Sequence, residues 1–317
     1  MQRFKNILVC HSQQIGNEAA LSRATTLAKV NKARLTVFDV VEKLPEYAGA
    51  PFGSSISEER DLERRFIDER QSLLDRVITS IRQDGLEVEA SVRFGPPFLE
   101  IIRAVLRDNH DLVIITADSW RGLSRITFGS TSMHVLRKCP CPVWVLKPRA
   151  GKRFKRILAT VDSDVQGDAP TPLDVKILEM ASSLARMEGC HLDILSAWDF
   201  AGADYDISRS EITDQIRERL FHNNLLTRSA ALERMLRGIN LRDVTYERHL
   251  PKGHPSLVIP QFVQDNKVDL VIMGTVTHSG IAGLFIGTTA EDVLRQVDCS
   301  VLTVKPEGFE TPVKLDD

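Results

Sequence analysis

The stretch of this chain best suited to chemistry is VIMGTVTHSGIAGLFIGTT, from Val271 to Thr289. An apolar run, Leu270–Met273, meets Gly274, then a loop of small residues, then Gly287 with Thr288 and Thr289 just before an amphipathic run, Ala290–Val297. A buried strand that feeds a glycine turn and then a helix start brings unpaired backbone N–H groups and the positive end of a helix dipole to one crevice. That is where a phosphate is held. Glycine lets such a backbone approach a ligand with no Cβ in the way. Read alone, the pattern also describes a plain strand–loop–helix connection. Its weight comes from repetition, because Gly129 and Ser130 stand in the same setting in the first half.

Other chemistries find little support. The five cysteines, Cys10, Cys139, Cys141, Cys190 and Cys299, are scattered, and Cys139-Pro-Cys141 fits neither a zinc pair nor a redox C-x-x-C, so they read as reduced structural thiols. None of the eight histidines stands i,i+4 from another on an expected helix, so no metal site is expected. There is no Walker-type lysine, no in-register general base, and no acidic cluster for magnesium beyond Asp162. A formal net charge of −2 argues against nucleic-acid and anionic-membrane partners. No apolar run is long enough to span a bilayer, and Met1–Ile7 lacks a signal-peptide core, which makes a cytoplasmic protein the expectation.

The elements that would position the glycine turns follow from periodicity. Residues 5–11, 34–41, 87–94, 111–116 and 142–147 read as strands. Helices are expected over Glu18–Val30, from Ser57 to about Gln83, from Pro96-Pro97 to Leu106, and from Gly129-Ser130 to Lys138. From Phe154 the order begins again. Phe154-Lys155-Arg156-Ile157-Leu158 echoes Phe4-Lys5-Asn6-Ile7-Leu8, and after an insertion near Gln166–Pro172 the register holds. It pairs Gly95 with Gly253, Pro97 with Pro255, Asp111 with Asp269, Gly129 with Gly287, Cys141 with Cys299 and Lys147 with Lys305. The chain is therefore a tandem duplication. Its domains span residues 1–149 and 150–308, with a linker at Arg149–Arg153 and a C-terminal tail, residues 309–317.

Near-continuous apolar strands alternating with amphipathic helices imply an α/β fold: in each half, a doubly wound five-stranded parallel sheet of order 3-2-1-4-5. The crevice then lies beyond strands 1 and 4, where Asp162 and Gly274 both fall in the second half. Thr288 and Ser130 are expected as helix N-caps. The long helix from Glu211 to Leu236 carries Ile212, Ile216 and Leu220 on one stripe and is expected to turn it to the core. Tyr47–Ser55 and Asp199–Ile207 would be loops at the ligand end of the sheets. His278 and Trp120 occupy equivalent loop positions, and they, Arg121 and Arg125 read either as ligand contacts or as solvated loop residues.

Strand 1 ending in Asp162-Ser163, Gly253-x-Pro255 before the third helix, Asp269-Leu270-Val271-Ile272-Met273-Gly274, and Gly287-Thr288 before the fourth resemble a universal stress protein domain. The resemblance covers nearly the whole chain twice, and with the closing TPVKLDD it is similar to the tandem branch of that family. Nucleotide-binding members show glycine, two residues, glycine, nine residues, glycine and Ser/Thr, with an Asp at the end of strand 1. The second half matches at Asp162, Gly274, Gly287 and Thr288, with Thr289 following, while Thr277 replaces the middle glycine and offers a hydroxyl to a phosphate. In the first half Ser12 stands for the Asp, Thr116 and Ser119 for two glycines, and only Gly129-Ser130 persists as an anion site.

The resemblance therefore implies a stress-response protein that holds a small phosphorylated ligand, ATP or AMP, in its C-terminal domain, with Mg²⁺ only alongside ATP. It would sense or buffer that ligand and not be an enzyme. A slow ATPase is one alternative. The other is a binder of a partly apolar or sugar-nucleotide ligand, or a protein-interaction scaffold. The resemblance also implies that the last strands, Val143–Leu146 and Val301–Val304, pair into an internal pseudo-dimer, leaving other faces for a homodimer of chains.

Overall fold

A computed structural model of the chain describes residues 4–11, 17–42, 56–117, 128–147, 153–163, 170–199, 214–275 and 287–315. The chain forms two compact units. The first comprises Met1–Arg149 together with the residues from Phe309 onward, and the second begins at Ala150 and ends at Gly308. The closing residues are thus not a separate tail. Val313 is buried, and Arg103 Nε donates to the Lys314 carbonyl at 3.3 Å within the first unit.

In chain order the first unit contains β1 (Asn6–Cys10), α1 (Asn17–Asn31), β2 (Arg34–Val41), α2 (Ile56–Gln83), β3 (Val88–Phe94), α3 (Pro97–Asp108), β4 (Leu112–Thr116), α4 (Ser130–Lys138) and β5 (Val143–Leu146). The second contains β6 (Arg156–Thr160), α5 (Pro172–Glu188), β7 (His191–Leu195), α6 (Asp214–Arg237), β8 (Tyr246–His249), α7 (Pro255–Asn266), β9 (Leu270–Gly274), α8 (Thr288–Gln296) and β10 (Ser300–Val304). The strand orders are β3-β2-β1-β4-β5 and β8-β7-β6-β9-β10, all parallel within each unit. That is the expected doubly wound order, twice.

The repeat positions have physical reasons. Asp111 accepts backbone N–H groups of Lys5 (2.6 Å) and Asn6 (3.1 Å), and Asp269 accepts those of Lys155 (2.7 Å) and Arg156 (3.0 Å). Each carboxylate ties the start of the unit's fourth strand to the start of its first. Burial pushes the Asp111 carboxyl up, and its backbone N–H partners pull it down. Gly95 and Gly253 sit at φ +147 and +136, a region closed to most side chains, just before the proline that opens α3 or α7. A Cβ on Gly253 would also meet Val258 Cγ2 at 2.9 Å.

One expectation fails in the second unit. The Ile216–Leu220 stripe of α6 does not face the core: Ile216 is 44% and Leu220 39% exposed, and burial on α6 is at Leu232, Met235 and Leu236. Ile212 lies outside the described residues. A helix of 24 residues is about 36 Å long, whereas β7, at five residues, covers about 17 Å. The fully buried positions are thus near the C-terminal end of α6, and nearer its start Phe221 packs on Trp198 with ring centroids 5.1 Å apart. The five cysteines are unbridged, and the Cys139 and Cys141 sulfurs stand 3.5 Å apart in the core.

Candidate functional site

In the second unit three chain ends meet where the strand order reverses between β6 and β9, the place where doubly wound sheets bind ligands. β6 and β9 are adjacent parallel strands, with Ile157 opposite Leu270 and Ala159 opposite Ile272. Carried two and three residues past Ala159, that register sets Val161 level with Gly274 and Asp162 level with Thr275 at the C-terminal edge, on strands about 5 Å apart. Asp162 is exposed. Its N–H donates to Asp174 Oδ1 at 3.1 Å, and the buried Asp174 is itself held by the α5 N-cap. Its N–H donates to Thr171 Oγ1 at 3.1 Å, and the Thr171 hydroxyl donates to Asp174 Oδ2 at 2.5 Å. The next residue, Ser163, is locked to β7, its N–H 3.0 Å and its hydroxyl 2.8 Å from Ser196 Oγ. The Asp162 backbone is thus fixed from both sides at the mouth of the crevice.

The third end is α8. Gly287 N–H donates to the Thr275 carbonyl at 2.8 Å, which draws the helix start onto the end of β9. The Thr275 side chain is fully buried, and its hydroxyl has no protein partner among the described residues. The caps correct an expectation. The N-cap is Gly287, extended at φ −60, ψ 143, and Thr288 is the first helical residue; likewise Gly129 (φ −67, ψ 172) caps α4 and Ser130 follows it. The glycine carbonyls accept the first helical bonds, from Glu291 and Met133 at 3.0 Å each, so the hydroxyl residues are already inside the helices. Being glycines, neither N-cap residue has a side chain to cap its helix. The N–H groups of Thr288, Thr289 and Ala290 lack a carbonyl within α8, and the helix dipole adds positive potential there.

Gly274 also has a different reason from the one expected. A Cβ at Gly274 would lie 2.9 Å from Leu173 Cδ2 and 3.5 Å from Leu173 Cγ, on α5. Close helix–strand approach therefore favours a glycine here independently of any ligand, although the atom a methyl would meet is the movable tip of Leu173. Thr277, with His278, lies outside the described residues, as do Ser12, Ser119, Trp120, Arg121, Arg125, Tyr47–Ser55 and residues 200–207.

The first unit differs in kind. Thr116 takes the position of Gly274, and its buried hydroxyl has no protein partner among the described residues. At the end of β1, His11 donates its N–H to the Phe38 carbonyl at 2.7 Å, beside Asp39, which pairs with Arg70 at 3.2 Å. Burial pushes the Asp39 carboxyl up against the pull of Arg70, and burial lowers the His11 imidazole while Asp39 raises it. At the corresponding positions the second unit has Val161 and Ser196. Periodicity did not expose this cluster. The signal was two ionisable residues, His11 and Asp39, inside or just beyond otherwise apolar strands.

The model of the Usp family, the universal stress protein family, matches residues 3–147 and again residues 153–305. The chain belongs to the universal stress protein family. Universal stress protein E of Escherichia coli K12 is 28% identical over 324 residues, covering 100% of this chain and 99% of its own. Universal stress protein E of Photorhabdus laumondii is 25% identical over 99% of both chains. This chain is thus a tandem member of the family, similar to universal stress protein E. Among solved structures, a protein of unknown function from Pseudomonas aeruginosa PAO1 superposes with a TM-score of 0.72 at 21% identity, over 96% of this chain and 94% of that one. A universal stress protein from Archaeoglobus fulgidus gives 0.61 at 19% identity, over 95% and 98%. Both share the fold. No helix among the described residues is long and apolar enough to cross a membrane.

Proposed function

We propose that this universal stress protein is a cytoplasmic stress-response protein that binds a small phosphorylated ligand, ATP or AMP, in its second unit, and senses or buffers it without turning it over. The observation that carries the reading is the α8 N-terminus, whose N-cap Gly287 has no side chain and is tied at 2.8 Å to the end of β9 beside the exposed Asp162. Anions favour such a helix start, because its unpaired N–H groups and its dipole act together. The orphaned Thr275 hydroxyl at the same junction supports a polar occupant. Asp162 would meet the ribose or base end, and Thr288 and Thr289 the phosphate end. With ATP, Mg²⁺ would enter bound chiefly to phosphate oxygens.

The absence of catalysis in this reading rests on chemistry. Among the described residues, one exposed carboxylate at the site supplies neither a paired acid and base nor a clamp for a developing charge. The first unit is not assigned the same occupant, since Ser12 stands in the place of Asp162, even though Gly129 starts α4 as Gly287 starts α8. Calorimetric titration of the full chain with ATP, ADP and AMP tests the proposal. One equivalent bound, weakened by Asp162→Ala, is expected. No heat and no thermal shift with any of the three would end it.

A further inference from the structure

A second cluster of polar side chains lies on the β7–β8 edge of the second unit, away from the crevice. His191 and Asp193 alternate on β7, Glu247 and His249 on β8, and Asp193 is the register partner of Glu247. In a parallel pair, register partners and residues two apart share one face, so all four side chains lie on the same side of the sheet. Asp193 stands about four residues short of the Asp162 level, about 13 Å by strand rise, so this cluster and the nucleotide reading stand or fall separately.

We propose that His191, Asp193, Glu247 and His249 form a binding site for a divalent transition-metal cation, with zinc the best fit. The donors converge on one oxygen. His249 Nε2 is 2.8 Å and His191 Nε2 3.4 Å from Asp193 Oδ1, and Glu247 Oε2 is 4.0 Å from His249 Nε2. The ligand atoms of His191, Asp193 and Glu247 all lie within 4.8 Å of one another. Tetrahedral zinc with ligands at about 2.0–2.2 Å needs donors about 3.3–3.5 Å apart. The observed spacings bracket that value, and small side-chain rotations close the set. Two imidazoles and two carboxylates suit zinc and its first-row neighbours, and the two carboxylates balance the cation's charge.

Burial grades as a site needs. Asp193 is fully buried as a floor, His191 and His249 are 29% and 21% exposed as walls, and Glu247 at 61% leaves the mouth open. His191 Nε2 is a buried nitrogen without a hydrogen-bond partner, a cost the fold carries unless something else meets it. Supporting contacts are present too. Arg156 Nε donates to Asp193 Oδ2 at 2.5 Å and orients the carboxylate, while Nη2, 3.0 Å from Oδ1, is the contact a cation would displace. The Phe262 ring packs on His249, centroids 4.6 Å apart.

The simpler account is an ion-pair network around a buried aspartate. Two hydrogen bonds from Arg156 and one shared with His249 already satisfy Asp193, which leaves His191, its buried Nε2 without a hydrogen bond, and the facing Glu247 unexplained. The first unit is the internal control. On the same face its corresponding residues are Arg34, Thr36, Glu89 and Ser91, and the Thr36 hydroxyl simply donates to Glu89 at 3.0 Å. The fold does not require the cluster.

The test uses the full chain, stripped with a chelator and then titrated with Zn²⁺. Retained metal is measured after dialysis, and Co²⁺ serves as a visible probe of tetrahedral nitrogen–oxygen coordination. One equivalent of Zn²⁺ per chain is expected, with intense cobalt bands. His191→Ala and His249→Ala should each weaken binding by more than about tenfold. Glu247→Gln, at an exposed position that leaves folding intact, should weaken it as well. No retained metal, or stoichiometric metal unaffected by Glu247→Gln and by whichever histidine variants remain folded, overturns the proposal.

Discussion

Gly274→Ala separates two reasons for a glycine at the end of β9. If the residue is small because α5 crosses close to the strand, the new methyl meets Leu173 Cδ2 at 2.9 Å, well inside an ordinary carbon–carbon contact of about 3.5–4.0 Å. Leu173 is only half-buried, so its tip moves by a few tenths of an ångström at modest cost. Overpacking of this kind costs about 1–3 kcal/mol, and the mobile tip puts this case near 1 kcal/mol. Hydrogen exchange of peptides spanning β9 and α5 reads the second unit by itself, and a 1 kcal/mol loss appears there as about fivefold faster exchange through global opening. The double variant with Leu173→Ala should recover part of the loss introduced by Gly274→Ala, giving a favourable coupling energy of at least 0.5 kcal/mol, the usual scale for residues in contact. Nucleotide affinity should change little. If exchange is unaltered and the cycle shows no coupling while ligand affinity falls tenfold or more, the packing argument is wrong and the glycine serves the ligand directly.

Other expectations follow from the same geometry. Asp162→Ala should weaken ATP or AMP binding by about tenfold while the fold persists, because the residue is exposed and its backbone N–H bond to Asp174 survives. Although burial pushes the Asp193 carboxyl up, its bonds to Arg156 and His249 win and hold it below the usual carboxylate range. Its stabilising contribution is therefore complete above the unfolded value, near pH 4, and is lost as pH falls through the lower folded value. An acid-unfolding titration should show Arg156→Gln failing at higher pH than the parent, with about 3 kcal/mol lost at neutral pH from a buried carboxylate stripped of its guanidinium. Along α6, Ile216→Lys should change stability by less than about 0.5 kcal/mol, while Leu232→Ala costs about 2–4 kcal/mol, measured by urea denaturation.

The repeat register carried most of the architecture. It paired Asp111 with Asp269 and Gly95 with Gly253 before their tasks were visible, because a strand staple and a positive-φ turn each admit few residue types. What escaped needed contacts between distant segments. Gly274 reads as a phosphate glycine until α5 is laid against β9, since its neighbour Leu173 is far away in the chain. Periodicity marked α6 as amphipathic but could not say which of its turns overhang a short sheet. Gly-Thr and Gly-Ser at the starts of α8 and α4 each offered two capping residues, and the backbone chose the glycine. An i,i+4 spacing of histidines marks a site on a helix. His191-x-Asp193 and Glu247-x-His249 follow the strand period of two and become one cluster only when β7 and β8 lie side by side.

That the residues after Phe309 pack into the first unit has a consequence for biosynthesis. A ribosome releases the second unit's final strand before those residues emerge, so the half that is made first is also the half that is finished last. Deleting Phe309–Leu315 would therefore leave the earlier-made half without the buried Val313, although β10 and the rest of the second unit are untouched.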